Sequence, residues 1–325
     1  MTNYFEIKNL KVDYKTYEGR TNILDIEHLV LDKGRAFGLI GESGAGKSVL
    51  AQTILGILSR PPGAISGGQI LFKGEDLLAK SEKEMRKIRG KKISMIFQDP
   101  MSTLNPVFTV GTQITRVIRQ NQGISKKKAV KQAIEKIELV KIPDAEDIMD
   151  AYPHELSGGQ RQRIIIAIAL SCDAELLIAD EPTRNLDVTI QAGILKLIAR
   201  LQKQLKVSVL FIANNPGVVS ATCDRLAMLH QGRIVEMGAS REVLCNPRHP
   251  YTRAFIDAIP KDKHNGIHLE QVVKTKSTDA SATGCPNIDL CHEKDEKCKL
   301  LIPPLKPYQR IHYVACHRVE EMKDE

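Results

Sequence analysis

The chain has 325 residues, 42% apolar and 26% charged, an ordinary globular balance that suggests one large domain with an appendage, or two domains. Its net charge of +8 fits anionic partners, nucleotide included, although a mildly basic surface explains the excess as well. The longest apolar run, Ile164 to Cys172, falls far short of the roughly 18 residues of a membrane span, and the N-terminus lacks a basic-then-apolar secretory pattern, so the expectation is a cytoplasmic chain with any membrane role supplied by a partner.

Phe5 to Tyr14 alternates polar and apolar residues and reads as a half-buried strand. A polar turn over Lys15 to Asn22 leads to a second strand around Ile23 to Leu31. Asp32-Lys33-Gly34 then turns the chain into an apolar strand, Ala36 to Ile40. That strand runs into Gly41-Glu42-Ser43-Gly44-Ala45-Gly46-Lys47-Ser48, and a helix follows over about Lys47 to Leu58. Strand, GxxxxGKS loop and helix in this order make a phosphate cradle. The glycines let backbone wrap the phosphates, and the helix N-terminus adds partial positive charge. The ATP-binding candidates here are Gly41, Ser43, Gly44, Gly46, Lys47, Ser48 and Val49. Lys47 would reach the β- and γ-phosphates, and the Ser48 hydroxyl would ligate Mg²⁺.

Gly67 to Gly74 reads as a strand between turns, Ser81 to Arg89 as a charged helix, and Lys92 to Phe97 as a buried strand ending in Gln98. Val110 to Gln120 and Lys126 to Val140 read as helices within a helical stretch from about Thr109 to Pro153. The triple lysine at 126–128 fits a solvated helix face, and His154 a structural role. In Leu156-Ser157-Gly158-Gly159-Gln160, Ser157 is placed as an N-cap, and the free amides of the following helix start suit a γ-phosphate. That helix is expected to run to Cys172. Leu176 to Ala179 is a continuous apolar run, as in a strand buried on both faces. At its C-terminal end Asp180 would hold Mg²⁺ through water and Glu181 would polarise an attacking water. Ile190, Ile194, Leu197, Ile198, Leu201 and Leu205 mark one apolar helix face, and Val207 to Ile212 another buried strand.

The phosphate loop, LSGGQ and Leu176 to Glu181 together resemble the Walker A, signature and Walker B elements of ABC ATPases. The resemblance implies a dimer of cassettes in which Ser157, Gly158, Gly159 and Gln160 close over ATP held by another cassette. It implies an aromatic ring stacked on adenine, with Tyr14 placed ahead of Tyr17. It gives Gln98 contact with Mg²⁺ and the attacking water, so Ser48, Gln98 and Asp180 form the Mg²⁺ set. Glu181, Gln98 and position 214 form the catalytic set. At position 214 the family normally has a histidine, but this chain has Asn214, which cannot carry a charge or shuttle a proton near neutral pH. Arg184 and Asn185 also stand where small residues are usual. These departures imply a site that binds ATP but hydrolyses it poorly, with LSGGQ completing a competent site on a partner. The alternative is that Asn214 substitutes adequately.

Phe97 to Pro106, Glu181 to Gln191 and Asn246 to Pro260 extend the likeness to the ATP-binding subunits of oligopeptide/dipeptide (and nickel) ABC importers, the D-type more than its F-type partner. Lys274 to Thr283 reads as a flexible linker. Seven cysteines without an export signal argue against disulfides. Cys172, Cys223 and Cys245 are scattered, whereas Cys285, Cys291, Cys298 and Cys316 crowd the C-terminal end in a metal-site pattern. Four thiolates suit zinc or an iron–sulfur cluster. Resemblance to importer tails with a 4Fe–4S cluster favours the cluster, with Zn²⁺ the alternative. His292, His312 and His317 are read as supporting or surface residues.

The expected fold is α/β: a P-loop NTPase ABC cassette over 1–260 with an antiparallel β lobe and a helical subdomain at about 99–172, then a small Cys-rich tail over 261–325. The expected function is ATP-driven import of di- or oligopeptides or related small solutes. Expected partners are a second, F-type cassette, two transmembrane permeases and an extracytoplasmic solute-binding protein, without nucleic acid, at the cytoplasmic face of the cell membrane. The rival is a soluble ABC ATPase acting on ribosome or nucleic acid. The single Walker A motif and lack of a heptad run speak against it.

Overall fold

The computed structural model describes residues 3–17, 19–258, 284–289, 291–309 and 311–322, so the expected linker over 274–283 lies outside the described residues. The chain divides into two compact units interleaved in sequence, one from 1–31, 37–78 and 213–325, the other from 32–36 and 79–212.

The first unit opens with β1 (Phe5–Thr16) and β2 (Gly19–Leu31), an antiparallel hairpin paired out to Thr16 and Gly19. Most of the stretch expected as a turn over Lys15 to Asn22 is therefore strand. Ladder hydrogen bonds sustain it where side-chain burial has stopped. β3 (Ala36–Ile40), of which all but Ala36 lies in this unit, is buried along its whole length. α1 (Lys47–Leu55) ends three residues earlier than read, because Gly56 turns left-handed (φ 62°) and its N–H caps Gln52 and Thr53 carbonyls. β4 (Gly63–Phe72) and β5 (Glu75–Asp76) complete an antiparallel sheet ordered β2-β1-β4-β5. Phe5, Ile7, Leu10, Leu24, Ile26 and Leu29 from its first two strands are fully buried, each worth about 1.5–3 kcal/mol relative to exposure.

The second unit holds α2 (Glu82–Ile88), β6 (Ile93–Ile96), α3 (Pro100–Thr103), α4 (Val110–Gln122), α5 (Lys126–Leu139), α6 (Ala145–Asp150), α7 (Gly158–Ala169), β7 (Leu176–Asp180), α8 (Val188–Leu205) and all but the last residue of β8 (Ser208–Ala213). β6, β7 and β8 run parallel with β7 central, and its five residues are all buried. Between β6 and β7 the chain is helical, as an inserted helical subdomain requires. α4 presents Val110, Ile114 and Ile118 to that packing, and α5 presents Ala129, Ala133 and Ile137. On α8, Ile194, Leu197, Ile198 and Leu201 are buried. Ile190 and Leu205, expected on the same face, are exposed at its two ends.

Back in the first unit are α9 (Pro216–Ser220), β9 (Arg225–His230), β10 (Arg233–Ala239), α10 (Ser240–Cys245), α11 (Pro250–Asp257), α12 (Glu296–Leu300), β11 (Lys306–Gln309) and β12 (His312–Val314). β3 pairs parallel with β9, and the sheet continues antiparallel through β10 and β12 to β11. Among the described residues no helix is long and apolar enough to cross a membrane.

Candidate nucleotide site

In the first unit, β3 delivers the chain to Gly41 so close to β9 that a Cβ there would meet the Leu229 carbonyl oxygen at 2.1 Å. Only glycine passes. Gly46 takes φ 102° just before α1, where a Cβ would stand 2.6 Å from Leu24 Cδ2. The loop so formed lies at the start of a helix with no acidic residue in its first turn. Its amides and dipole there favour anions. Lys47 is buried, and its Nζ donates to the carbonyls of Gly41 at 2.9 Å and Glu42 at 2.7 Å. The ammonium is thus parked over the cradle. Ser43 is exposed, and Asn214 Nδ2 donates to its hydroxyl at 3.5 Å. Ser48 and Val49 are half-buried in the first turn of α1. Tyr14 lies in β1 opposite Thr21 and Gly63, half-buried, while Tyr17 beyond it is wholly exposed.

In the second unit, parallel register explains a meeting of side chains. Ile96 of β6 lies opposite Ala179 of β7, so Gln98 and Glu181 each emerge two residues past the paired ends. Gln98 Nε2 donates to Glu181 Oε2 at 2.9 Å. Asp180, at the end of β7, is buried. Glu181 adopts φ 44°, a left-handed conformation rare outside glycine, with its N–H bonded to the Ile212 carbonyl. Arg184 Nη1 donates to the same Glu181 Oε2 at 3.3 Å. Sequence reasoning marked Arg184 as unusual but missed this pairing.

The signature forms a reciprocal cap at the start of α7: Ser157 Oγ accepts the Gln160 N–H at 3.3 Å, and Gln160 Oε1 accepts the Ser157 N–H at 2.9 Å. Gly158 and Gly159 leave room for Leu186 and Ile190. A Cβ on Gly159 would come within 3.0 Å of the latter. Asp187 caps α8 by accepting the Ile190 N–H.

Of the C-terminal cysteines, Cys285, Cys291, Cys298 and Cys316 line one cavity together with His249. Cys285 donates its N–H to the Cys298 carbonyl at 2.7 Å, and Asp295 caps α12 at Cys298. Burial, with the neighbouring cysteines adding to it, pushes the Cys316 thiol up to about 11, and Cys285 and Cys298 are raised as well. A cation in that cavity would reverse the effect. Among the described residues no group of three or more His, Cys, Asp or Glu is gathered to hold a metal ion. His312, expected as a supporting or surface residue of the tail, is buried against Glu236, its Nε2 2.7 Å from Oε1. His292 is exposed and His317 bonds the Leu301 carbonyl.

Residues 24–184 match the family model described as ABC transporter, and residues 235–298 match the oligopeptide/dipeptide transporter C-terminal region. The chain is 46% identical to the oligopeptide transport ATP-binding protein OppD of Bacillus subtilis, over 89% of this chain and 80% of that protein. It is 41% identical to the dipeptide transport ATP-binding protein DppD of the same organism, over 97% of this chain and 95% of that protein. The chain belongs to the ATP-binding subunits of oligopeptide/dipeptide ABC transporters. Solved structures agree on the fold of this ABC cassette. The cassette MJ0796, in a dimeric post-hydrolysis state bound to ADP and Pi, matches with TM-score 0.64 at 25% identity, covering 73% of this chain and 99% of that one. The cbiO1 protein of Clostridium perfringens matches with TM-score 0.64 at 27% identity, covering 76% and 92%. As an ABC transporter cassette the chain is an ATPase that uses ATP with Mg²⁺.

Proposed function

We propose that this subunit is one motor of an importer of di- or oligopeptides, or of related small solutes. It works with a second, F-type cassette, two membrane permeases and an extracytoplasmic solute-binding protein, as a peripheral subunit at the cytoplasmic face of the cell membrane. The observation that carries the reading is the near full-length match to a dipeptide transport ATP-binding protein, joined to the transporter-type C-terminal region.

In this reading Gly41, Ser43, Gly44, Gly46, Lys47, Ser48 and Val49 bind the phosphates and Tyr14 stacks on adenine. Ser48, Gln98 and Asp180 hold Mg²⁺, and Glu181 polarises the attacking water. Ser157 to Gln160 act in trans on a partner's nucleotide. The chain's own site turns over slowly. Two features support that part: Asn214 reaches Ser43 with an amide where the family uses an imidazole, and Glu181 Oε2 already accepts from Gln98 and Arg184. The nucleotide-binding domain is assigned to 1–260, its helical subdomain to about 99–172 and the tail to 261–325.

Cys285, Cys291, Cys298 and Cys316 would hold a 4Fe–4S cluster. Their sharing of one cavity supports this, and four thiolates suit such a cluster as they suit zinc. The cluster would supply a covalent staple for a tail with little core.

Cells lacking this chain should lose uptake of labelled di- and oligopeptides, and regain it with the wild-type chain but not with Lys47→Ala. Unchanged uptake, with the chain recovered on ribosomes or nucleic acid, would favour the soluble-cassette rival.

A further inference from the structure

Glu42, the second residue of the phosphate loop, is held at each of its polar groups. Its carboxylate Oε1 lies 2.9 Å from Nδ1 of His230, its N–H donates to the Tyr251 hydroxyl at 3.4 Å, and its carbonyl accepts from Lys47 at 2.7 Å. His230 is 0% exposed, and its ring stacks on Tyr251 with centroids 3.9 Å apart. On the turn that follows His230, the Gly232 N–H donates to the Ala45 carbonyl at 3.0 Å, a second hold on the same loop.

Tyr251 is the second residue of α11 and belongs to the segment that matches the transporter-type C-terminal region. Its N–H donates to His249 Nδ1 at 3.1 Å. The N–H groups of Arg248 and His249 both go to the Glu236 carboxylate, at 2.8 and 3.0 Å, and the same carboxylate meets His312 of β12. These residues form one buried polar chain, from β10 and β12 through the start of α11 to the loop, all within the first unit.

We infer that Tyr251 and His230 are positioning residues for the phosphate loop, through which the C-terminal element fixes the cradle that ATP enters. A cradle binds tightly when its amides are held in place before the phosphates arrive. Gly41, Gly44 and Gly46 give the loop its shape but carry no side chains, and glycine loses the most conformational freedom on ordering. Glu42 is the long side chain among them, and so it is where a neighbouring element can grip. Lys47 rests on the carbonyl of the same residue, so a shift of Glu42 moves both the amides and the ammonium.

The test is MgATP affinity of the full chain, titrated with a fluorescent ATP analogue, beside amide hydrogen exchange of segment 41–48 without nucleotide. Tyr251→Phe keeps the ring on His230 and removes only the hydroxyl. It should weaken MgATP binding about three- to tenfold, the worth of one hydrogen bond, and speed exchange in the loop, with the melting temperature little changed. His230→Leu should weaken binding at least as much, and His230→Gln, which keeps a donor for Glu42, should recover part of the loss. Wild-type affinity and loop exchange in a folded Tyr251→Phe chain would overturn the inference. So would a loss of affinity accompanied only by a general fall in melting temperature. If His230→Leu does not fold, Tyr251→Phe alone decides.

Discussion

The carboxylate of Glu181 shares one oxygen between Gln98 and Arg184 and sits on a left-handed backbone, a conformation costing on the order of 1–3 kcal/mol. In the proposed mechanism Arg184 competes with the attacking water for Glu181 Oε2. The same proposal puts the amide of Asn214 where the family has an imidazole. The account therefore predicts that Arg184→Ser combined with Asn214→His raises turnover at this chain's own site by roughly tenfold or more, since positioned acid–base groups contribute about 10²–10⁴-fold. Steady-state ATPase of a complex whose partner site is inactivated would check it, and unchanged turnover would contradict it. His249 gives a pH prediction. Burial first, then the nearby His230 and Arg253, hold its pKa down to about 3 against an ordinary 6.5, despite a hydrogen bond to the Ala315 backbone. The unfolded chain takes up this proton below about pH 6.5 while the folded chain refuses it. The contribution to stability is therefore fully present above that pH and is lost as pH falls toward 3, by up to about 1.4 kcal/mol per unit. His249→Asn keeps an acceptor for the Tyr251 N–H and should flatten the slope of melting temperature between pH 6.5 and 4.

At the scale of elements, the cradle and the caps make the strongest demands. Gly41→Ala would push a Cβ into the Leu229 backbone carbonyl, which cannot swing aside as a side chain can. It should cost more than about 2 kcal/mol and abolish MgATP binding, measured by thermal unfolding and titration. Ser157→Ala removes the hydroxyl that caps α7 and should cost about 1 kcal/mol, a fall of about 2–4 °C in melting temperature. Much of this architecture was legible. β7 shows as an unbroken apolar run because both faces are buried, and the phosphate loop shows because its glycines are needed for backbone reasons that no neighbour alters. The β1–β2 hairpin was under-read, since the polar residues from Lys15 to Asn22 carry no burial signal while their ladder pairing continues. Ile190 and Leu205 were over-read, because helical spacing identifies a face but not where its cover stops. The grip of His230 and Tyr251 on Glu42 was invisible. These residues lie 188 and 209 positions from it, and only the return of β9 and α11 beside the loop brings them close.

For the whole molecule, the C-terminal cysteines are where composition said most and ligand geometry least. Four cysteines line one cavity, and burial pushes the thiols of Cys285, Cys298 and Cys316 up. Protein purified without oxygen should carry iron and acid-labile sulfide in equal amounts. Cys316→Ser should remove both and lower the melting temperature, whereas stoichiometric zinc would contradict the cluster. The transporter as a unit is an asymmetric pair of cassettes in this account, with LSGGQ of this chain serving the site that works. The most direct measurement is ATP turnover by the assembled transporter carrying Glu181→Gln, beside the matching change in the partner cassette. The account predicts that Glu181→Gln leaves most turnover and the partner change abolishes it. Loss of turnover from both changes alike would contradict it and make Asn214 a tolerated substitution.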